Sequence, residues 1–193
     1  MKNLFLSGQN IYLRALSIED LGVDYISWFN NAEVCYYNSH HVFPYNLEKG
    51  EKYIQRITNS ENSNLVLAII LKKTNQHIGN ISLQNIDLIN RNAEFAIIIG
   101  ESSCWGKGYS KEAGYLIVNH GFSEMNLHRI YCGTSINNKP LRQLALFLGM
   151  KEEGRKRESQ FKHGQYFDII EYGVLEKEFF KIFREVNIKD DSK

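Results

Sequence analysis

The chain has 193 residues, 43% hydrophobic and 23% charged, and its 23 Lys and Arg against 22 Asp and Glu leave a formal net charge of +1. That length and composition fit one globular domain with its own core and exclude a disordered chain. Near-neutrality gives no global field toward nucleic acid or an anionic membrane, no apolar run is long enough to span a bilayer, and no signal-peptide pattern opens the sequence, so the expected location is cytoplasmic.

In chain order, QNIYLRAL (9–16) alternates as a strand. Ser17 with Asp20 three residues on resembles a capping box, which predicts a helix running to about Asn30 with Leu21, Tyr25, Trp28 and Phe29 on its apolar face. Residues 31–45 are irregular and rich in Asn, His and Tyr. A second helix covers 47–59, with Tyr53, Ile54 and Ile57 on one side. Strands at 64–73 and 77–85 flank the turn Thr74-Asn75-Gln76 as a hairpin. A third strand, 93–100, is apolar on both faces near its end and is expected at the centre of the sheet. A glycine-bearing loop leads to a helix beginning near Tyr109, with Ala113, Leu116, Ile117 and His120 at helical spacing. Strand 128–135 follows, then a helix opened by Asn137-Asn138-Lys139-Pro140 and closed by Gly149. Strands at about 150–158 and 166–175 enclose the polar loop Lys162-His163-Gly164-Gln165, and EKEFFKIFREV makes a last amphipathic helix before a charged tail, 188–193. The expected fold is a single α/β domain over 1–187: a mixed, mostly antiparallel sheet of six to seven strands with helices on both faces.

Three cysteines, Cys35, Cys104 and Cys132, are odd in number and far apart. They form neither a disulfide framework nor a zinc site, and read as inert thiols. The chemistry lies in the strand, glycine loop and helix of 93–120. A loop at a helix N-terminus offers free backbone N–H groups and the positive end of the helix dipole. Gly106 and Gly108 let an anion approach that backbone closely, and a pyrophosphate suits such a site. The chain contains neither GxxxxGK[ST] nor a GxGxxG that opens a βαβ unit, which sets two phosphate-binding families aside.

In order, the segments AEFAIIIGESSCWGKGYSKEAGYLIVNHGF, LHRIYCGTSINNKPLRQLALFLGMKEEG and FKHGQYFDIIEYGVL, with IYLRALSIEDL and WFNNAEV ahead of them, resemble the GNAT superfamily of acyl-CoA N-acyltransferases. Within it they are similar to the RimJ/RimL branch and to the spermidine acetyltransferases. The resemblance spans nearly all of residues 10–176. It implies acetyl-CoA as cosubstrate, bound through its pyrophosphate by the loop Trp105, Gly106, Lys107, Gly108, Tyr109 and Ser110. Gly108 matches the family's invariant glycine, Trp105 stands where Gln or Arg is usual, and Lys107 is either a phosphate contact or a solvated loop lysine. The strand Phe95 to Ile99 would pair with the pantetheine arm, Ile97 or Ile98 would supply the oxyanion N–H, and Ile99 completes that edge. Asn138 matches the asparagine that meets the arm near the thiol.

Glu94, on the same strand, is the candidate base for an amine acceptor; the alternative is a carboxylate paired with Arg91 or Arg129. Two departures stand out. The family's thiolate acid, a tyrosine four residues before Gly149, is Ala145 here, and the serine of the RimL type falls at Leu141. Tyr109, Tyr131, Tyr166 or water remains as donor. These departures motivate a competing reading, a CoA-binding sensor with the same fold, and count against a polyamine acceptor. The acceptor (a protein N-terminus, a small amine or an amino sugar) is expected between segment 31–45, including His40 and His41, and loop 159–167. His40 and His41 read more simply as solvated loop residues, and no metal is expected. Arg155-Lys156-Arg157 reads as a solvated hairpin, and Phe179, Phe180, Ile182 and Phe183 as core or, in second place, a homodimer contact.

Overall fold

Eight strands form one sheet among the described residues, 3–59 and 63–190 (side chains to 183), of the computed structural model. They are β1 (Leu4–Ser7), β2 (Ile11–Ala15), β3 (Leu65–Leu71), β4 (His77–Asp87), β5 (Asn92–Ile99), β6 (Arg129–Ser135), β7 (Lys151–Lys162) and β8 (Gln165–Leu175), in the spatial order β1-β2-β3-β4-β5-β6-β8-β7. Every neighbouring pair is antiparallel except β5 with β6. The helices are α1 (Val23–Asn30), α2 (Leu47–Asn59), α3 (Tyr109–Ser123), α4 (Lys139–Phe147) and α5 (Glu176–Asp190). The strand count exceeds the expected six to seven because Leu4–Ser7 pairs with β2; four residues with little burial carry no readable alternation.

Alternation along the strands builds two cores. Ile11, Leu13, Leu67, Ile69, Leu83 and Phe95 face α3, α4 and α5. Tyr12, Ala68 and Ile70 face α1 and α2, where Tyr25, Trp28, Phe29 and Ile54 close the other side. Strand β3 serves both, which is why LVLAIIL is apolar without alternation. Phe179 of α5 is fully buried, within 5.9 Å of the Tyr115 ring and 5.5 Å of the Phe122 ring. Phe180 and Phe183 pack on the same core, so the aromatic stripe of the last helix is used within the chain. Of the expected tail 188–193, residues 188–190 continue α5 and 191–193 lie outside the described residues.

Two local expectations change. Ser17 and Asp20 do make a capping box, but over a 3-10 turn (Ile18–Asp20); the chain then restarts at Gly22 as the N-cap of α1. The polar loop after β7 shrinks to a tight turn with His163 at φ 52° and Gly164 at φ 77°, both in the region a type I′ hairpin requires.

Candidate active site

Strand β5 follows β4 along its whole length, and β6 follows β8 along its whole length. The two join each other over only three pairs, Asn92↔Arg129, Ala93↔Ile130 and Glu94↔Tyr131. Beyond Glu94 and Tyr131 the strands part, and each follows the twist of its own antiparallel partner. The result is a fork with Glu94 at its base and the edge of β5 from 95 to 99, holding Ile97, Ile98 and Ile99, unpaired on the side of β6. A strand edge of this kind offers N–H and C=O groups to an extended ligand.

At the open end of the fork the chain turns through residues 100–108 into α3. The Trp105 indole N–H donates to the Ile99 carbonyl (2.8 Å) and its amide to the Ser102 carbonyl (3.0 Å). Trp105 therefore braces the loop against the end of β5 and has no N–H left for a ligand. The next five amides, from Gly106 to Ser110, meet no acceptor among the described residues. Gly106 and Gly108 have φ of 73° and 84°, and a Cβ at either would meet nothing within 4 Å. Gly108 is the N-cap of α3 and provides no side-chain cap. Glu112, the acid of the first turn, is turned away and holds the Asn10 and Ile11 amides at 2.8 and 3.3 Å. Five amides without an acceptor, the helix dipole and open space above two glycines are a cradle that could hold a diphosphate. Lys107 stands exposed beside it, with no ion-pair partner among the described residues.

Asn138 caps α4. Its Oδ1 accepts from the Leu141 amide (3.2 Å), and its Nδ2 donates to Thr134 Oγ1 at 2.9 Å. Ala145 is fully buried and Leu141 packs on the core, so neither usual acid position carries a donor. Tyr166 is exposed, out on the β7–β8 hairpin.

Glu94 accepts a hydrogen bond from Asn85 Nδ2 at 2.9 Å. Asn85 reaches it because β4 slips register between Gln84 and Asp87 and Asn85 adopts φ 50°. Arg91 instead binds the carbonyl and Oδ1 of Asn126, and Arg129 binds Glu153, so neither expected rival pairs with Glu94. Tyr131 lies opposite Glu94; burial, and then the Glu94 carboxylate, push its phenol above the ordinary value. A cavity of about 300 Å³ adjoins the closed end of the fork, lined by Asn92, Arg129, Tyr131, Glu153, Glu171 and Tyr172.

The structure brings together the two segments expected around the acceptor. Lys162 Nζ donates to the carbonyls of Asn38 (2.9 Å) and His40 (2.7 Å), and Gln160 donates to the Tyr37 carbonyl (3.0 Å). His163 stacks on Tyr36 at 4.3 Å. His40 packs edge-on against Phe29 at 4.8 Å; loss of water around the ring, then the Lys162 charge, lowers its pKa. His41 adopts φ 62°. The basic run is a cross-strand charged hairpin, Arg155 with Asp168 and Lys156 with Glu171. Asn85 and Thr134 were not legible in the sequence: a register slip and a cap geometry place them.

The family model described as "Acetyltransferase (GNAT) domain" matches residues 10–151. An uncharacterized N-acetyltransferase, p20, of Bacillus licheniformis is 28% identical over 89% of this chain and 96% of that protein. A spermidine N(1)-acetyltransferase of Escherichia coli is 28% identical over 90% of each. Among solved structures, a spermidine N-acetyltransferase from Vibrio cholerae, in complex with CoA and spermine, superposes with a TM-score of 0.80 at 27% identity, over 89% of this chain and 98% of that one. The fork, the amide cradle and these matches agree: the chain belongs to the GNAT acetyltransferase family, as an N-acetyltransferase that uses acetyl-CoA as cosubstrate.

Proposed function

We propose that the protein transfers acetyl from acetyl-CoA to a primary amine by direct attack on the thioester, with Glu94 as the base. The observation that carries this reading is the fork with Glu94 at its base and five free amides at its mouth. The cradle of Gly106, Lys107, Gly108, Tyr109 and Ser110 holds the diphosphate, the freed edge from Ile97 to Ile99 takes the pantetheine arm, and Asn138 lies beside the thiol end. Acetyl-CoA supplies an acyl carbon activated by a thiolate leaving group. Glu94 accepts a proton from the attacking amine, directly or through water, and an N–H at Ile97 or Ile98 meets the oxyanion.

Neither Cys132, the cysteine nearest Glu94 along the strands, nor Cys35 is poised to form an acyl-enzyme. Burial, and then the Glu94 charge, push the Cys132 thiol up to about 12, and Cys35 is also raised, chiefly by burial. A thiol so far from ionising is a poor nucleophile. The two apolar acid positions that suggested a sensor are filled by core packing, and the relatives are named as transferases, so turnover is the supported reading.

For the acceptor, three of the five carboxylates of the hairpin already carry cations: Glu153 has Arg129, Asp168 has Arg155, and Glu171 has Lys156. This favours a monoamine, such as a peptide N-terminus or amino sugar, over a polyamine. The test is a melt with acetyl-CoA, followed by an amine panel read by thiol release. Ligand at 100 times Kd adds about 2.7 kcal/mol. At about 2–4 °C per kcal/mol, the melt rises by roughly 5–10 °C. No rise at millimolar acetyl-CoA sinks the site. Spermidine with the highest kcat/KM of the panel sinks the monoamine reading.

A further inference from the structure

We propose that Thr134 is a catalytic residue of the transfer, its hydroxyl donating a hydrogen bond to the sulfur of the departing thiolate. The inference rests on the reading that the thioester lies in the fork, and it supplies the donor that Ala145 and Leu141 cannot.

Position comes first. β6 leaves β5 after Tyr131, so Thr134 stands three residues into the freed stretch. Alternation with Ile130 and Cys132, both in the core under α3 and α4, sets its side chain on the α4 side, away from Glu94. An acyl carbon between the two would have the amine and its base on one face and the leaving sulfur toward the other. Thr134 is 4% exposed, so water competes little for its hydroxyl.

Hydrogen-bond bookkeeping then orients that hydroxyl. Asn138 Oδ1 is fixed as an acceptor by the Leu141 amide, so the end facing Thr134 is the NH₂. Thr134 Oγ1 is therefore an acceptor in that contact, and its own O–H is left to donate. It meets no acceptor among the described residues. The oxygen is already partnered by Asn138, and the hydroxyl hydrogen is what remains to meet a ligand atom in the fork. Other hydroxyls nearby are differently placed. Tyr131 lies on the Glu94 face, Tyr172 accepts from Arg142 Nε at 3.0 Å, and Tyr109 packs on the core.

The step balances without proton transfer from Thr134. The C–N bond forms, the C–S bond breaks, and the electron pair leaves on sulfur. The amine proton passes to Glu94 and then to water. Thr134 keeps its proton and shares it with the thiolate, which takes a proton from water on release.

The test compares Thr134→Val, which keeps the shape and removes the donor, with Thr134→Ser, which keeps the donor. CoA is bound to each protein and its thiol titrated by ultraviolet thiolate absorbance, a reading that needs no acceptor. The bound thiol is expected to ionise about one pH unit higher in the valine variant than in wild type, with serine restoring it. With the best amine of the panel, kcat falls about tenfold or more in Thr134→Val while KM for acetyl-CoA stays within about twofold. Thr134→Cys, with a weaker donor of similar size, falls between and guards against misfolding of the valine variant. An unchanged thiol titration and kcat in a valine variant that binds CoA normally overturns the role of Thr134 alone. Failure of CoA to raise the melting temperature of the wild type overturns the fork reading and Thr134 with it.

Discussion

Glu94 is singled out by what its neighbours do. Arg91 and Arg129, the cations beside it in sequence or across the pair, are engaged by Asn126 and Glu153, while Asn85 donates to the carboxylate. That carboxylate is held by a neutral amide and forms no ion pair among the described residues; Lys156, near enough to feel its charge, is paired with Glu171. Glu94→Gln is expected to lower kcat/KM by about 10²–10⁴-fold and to remove its acid limb. KM for acetyl-CoA should hold, since the cradle is at the other end of the fork. An unchanged pH profile of kcat/KM in the variant dismisses Glu94. The residue type and strand position were readable from the sequence; its freedom from arginine was not, because pairing depends on side chains 24 and 35 residues from the two arginines.

At the scale of elements, the loop into α3 was the most legible feature. A glycine loop before a helix predicts free amides open to close approach, and the amides from Gly106 to Ser110 are found without an acceptor among the described residues, with both glycines in left-handed backbone. Gly108→Ala puts a Cβ on a φ of 84°, a strain of about 1–2 kcal/mol, or roughly 2–8 °C of melting temperature. The same Cβ points into the open space where a diphosphate would lie, so Kd for acetyl-CoA is expected to rise by more than tenfold. Calorimetric titration checks this; a lower melt with unchanged affinity would move the phosphate elsewhere. Less legible was Trp105. The resemblance makes it a cofactor contact; the structure adds that its indole N–H ties the loop to Ile99, which only the path of β5 decides.

Across the whole molecule, a buried polar network ties β2, the 3-10 turn, β4 and α1 together. Arg14 binds Asp20 at 2.5 Å, and Asp20 is 5% exposed. His77 Nδ1 lies 3.6 Å from Asp20, and its Nε2 lies 2.9 Å from the Gly79 carbonyl and from Asn80 Oδ1. Burial pushes the Asp20 carboxyl up, but Arg14, the Ser17 amide and His77 outweigh it and hold it below the ordinary range. Burial also keeps His77 below its ordinary value, against the pull of Asp20 and with Arg14 opposing its charge. Both groups thus have folded values below their unfolded ones. Each contributes stability that is present above its unfolded value, about 6.5 for His and 3.9 for Asp, and lost as pH falls through its folded value. The melting temperature is expected to decline in two stages, starting below about pH 6.5 and again below about pH 4. Asp20→Asn leaves Arg14 without its partner, costs about 3–5 kcal/mol at neutral pH and shrinks the second stage, to which Asp87, Asp168 and Glu178, also held below their ordinary values, contribute. A melt that is flat from neutral pH down to the carboxylate range would exclude His77 as a contributor.

By itself the sequence determined the order of the strands from β2 onward, the five helices and the glycine loop, because each is carried by spacing within a few residues of chain, and it determined the family through ordered segments spread over residues 10–176. The capping box, the apolar run of β3 and Gly108 before α3 are local signals with local causes. The parting of β5 from β6 was decided only by tertiary structure, since each strand is bound to a different antiparallel neighbour. So were the meeting of segment 36–40 with the β7–β8 hairpin through Lys162, and the donor left free on Thr134 by Asn138. These depend on which groups are already hydrogen-bonded once the chain is folded, and no periodicity records that.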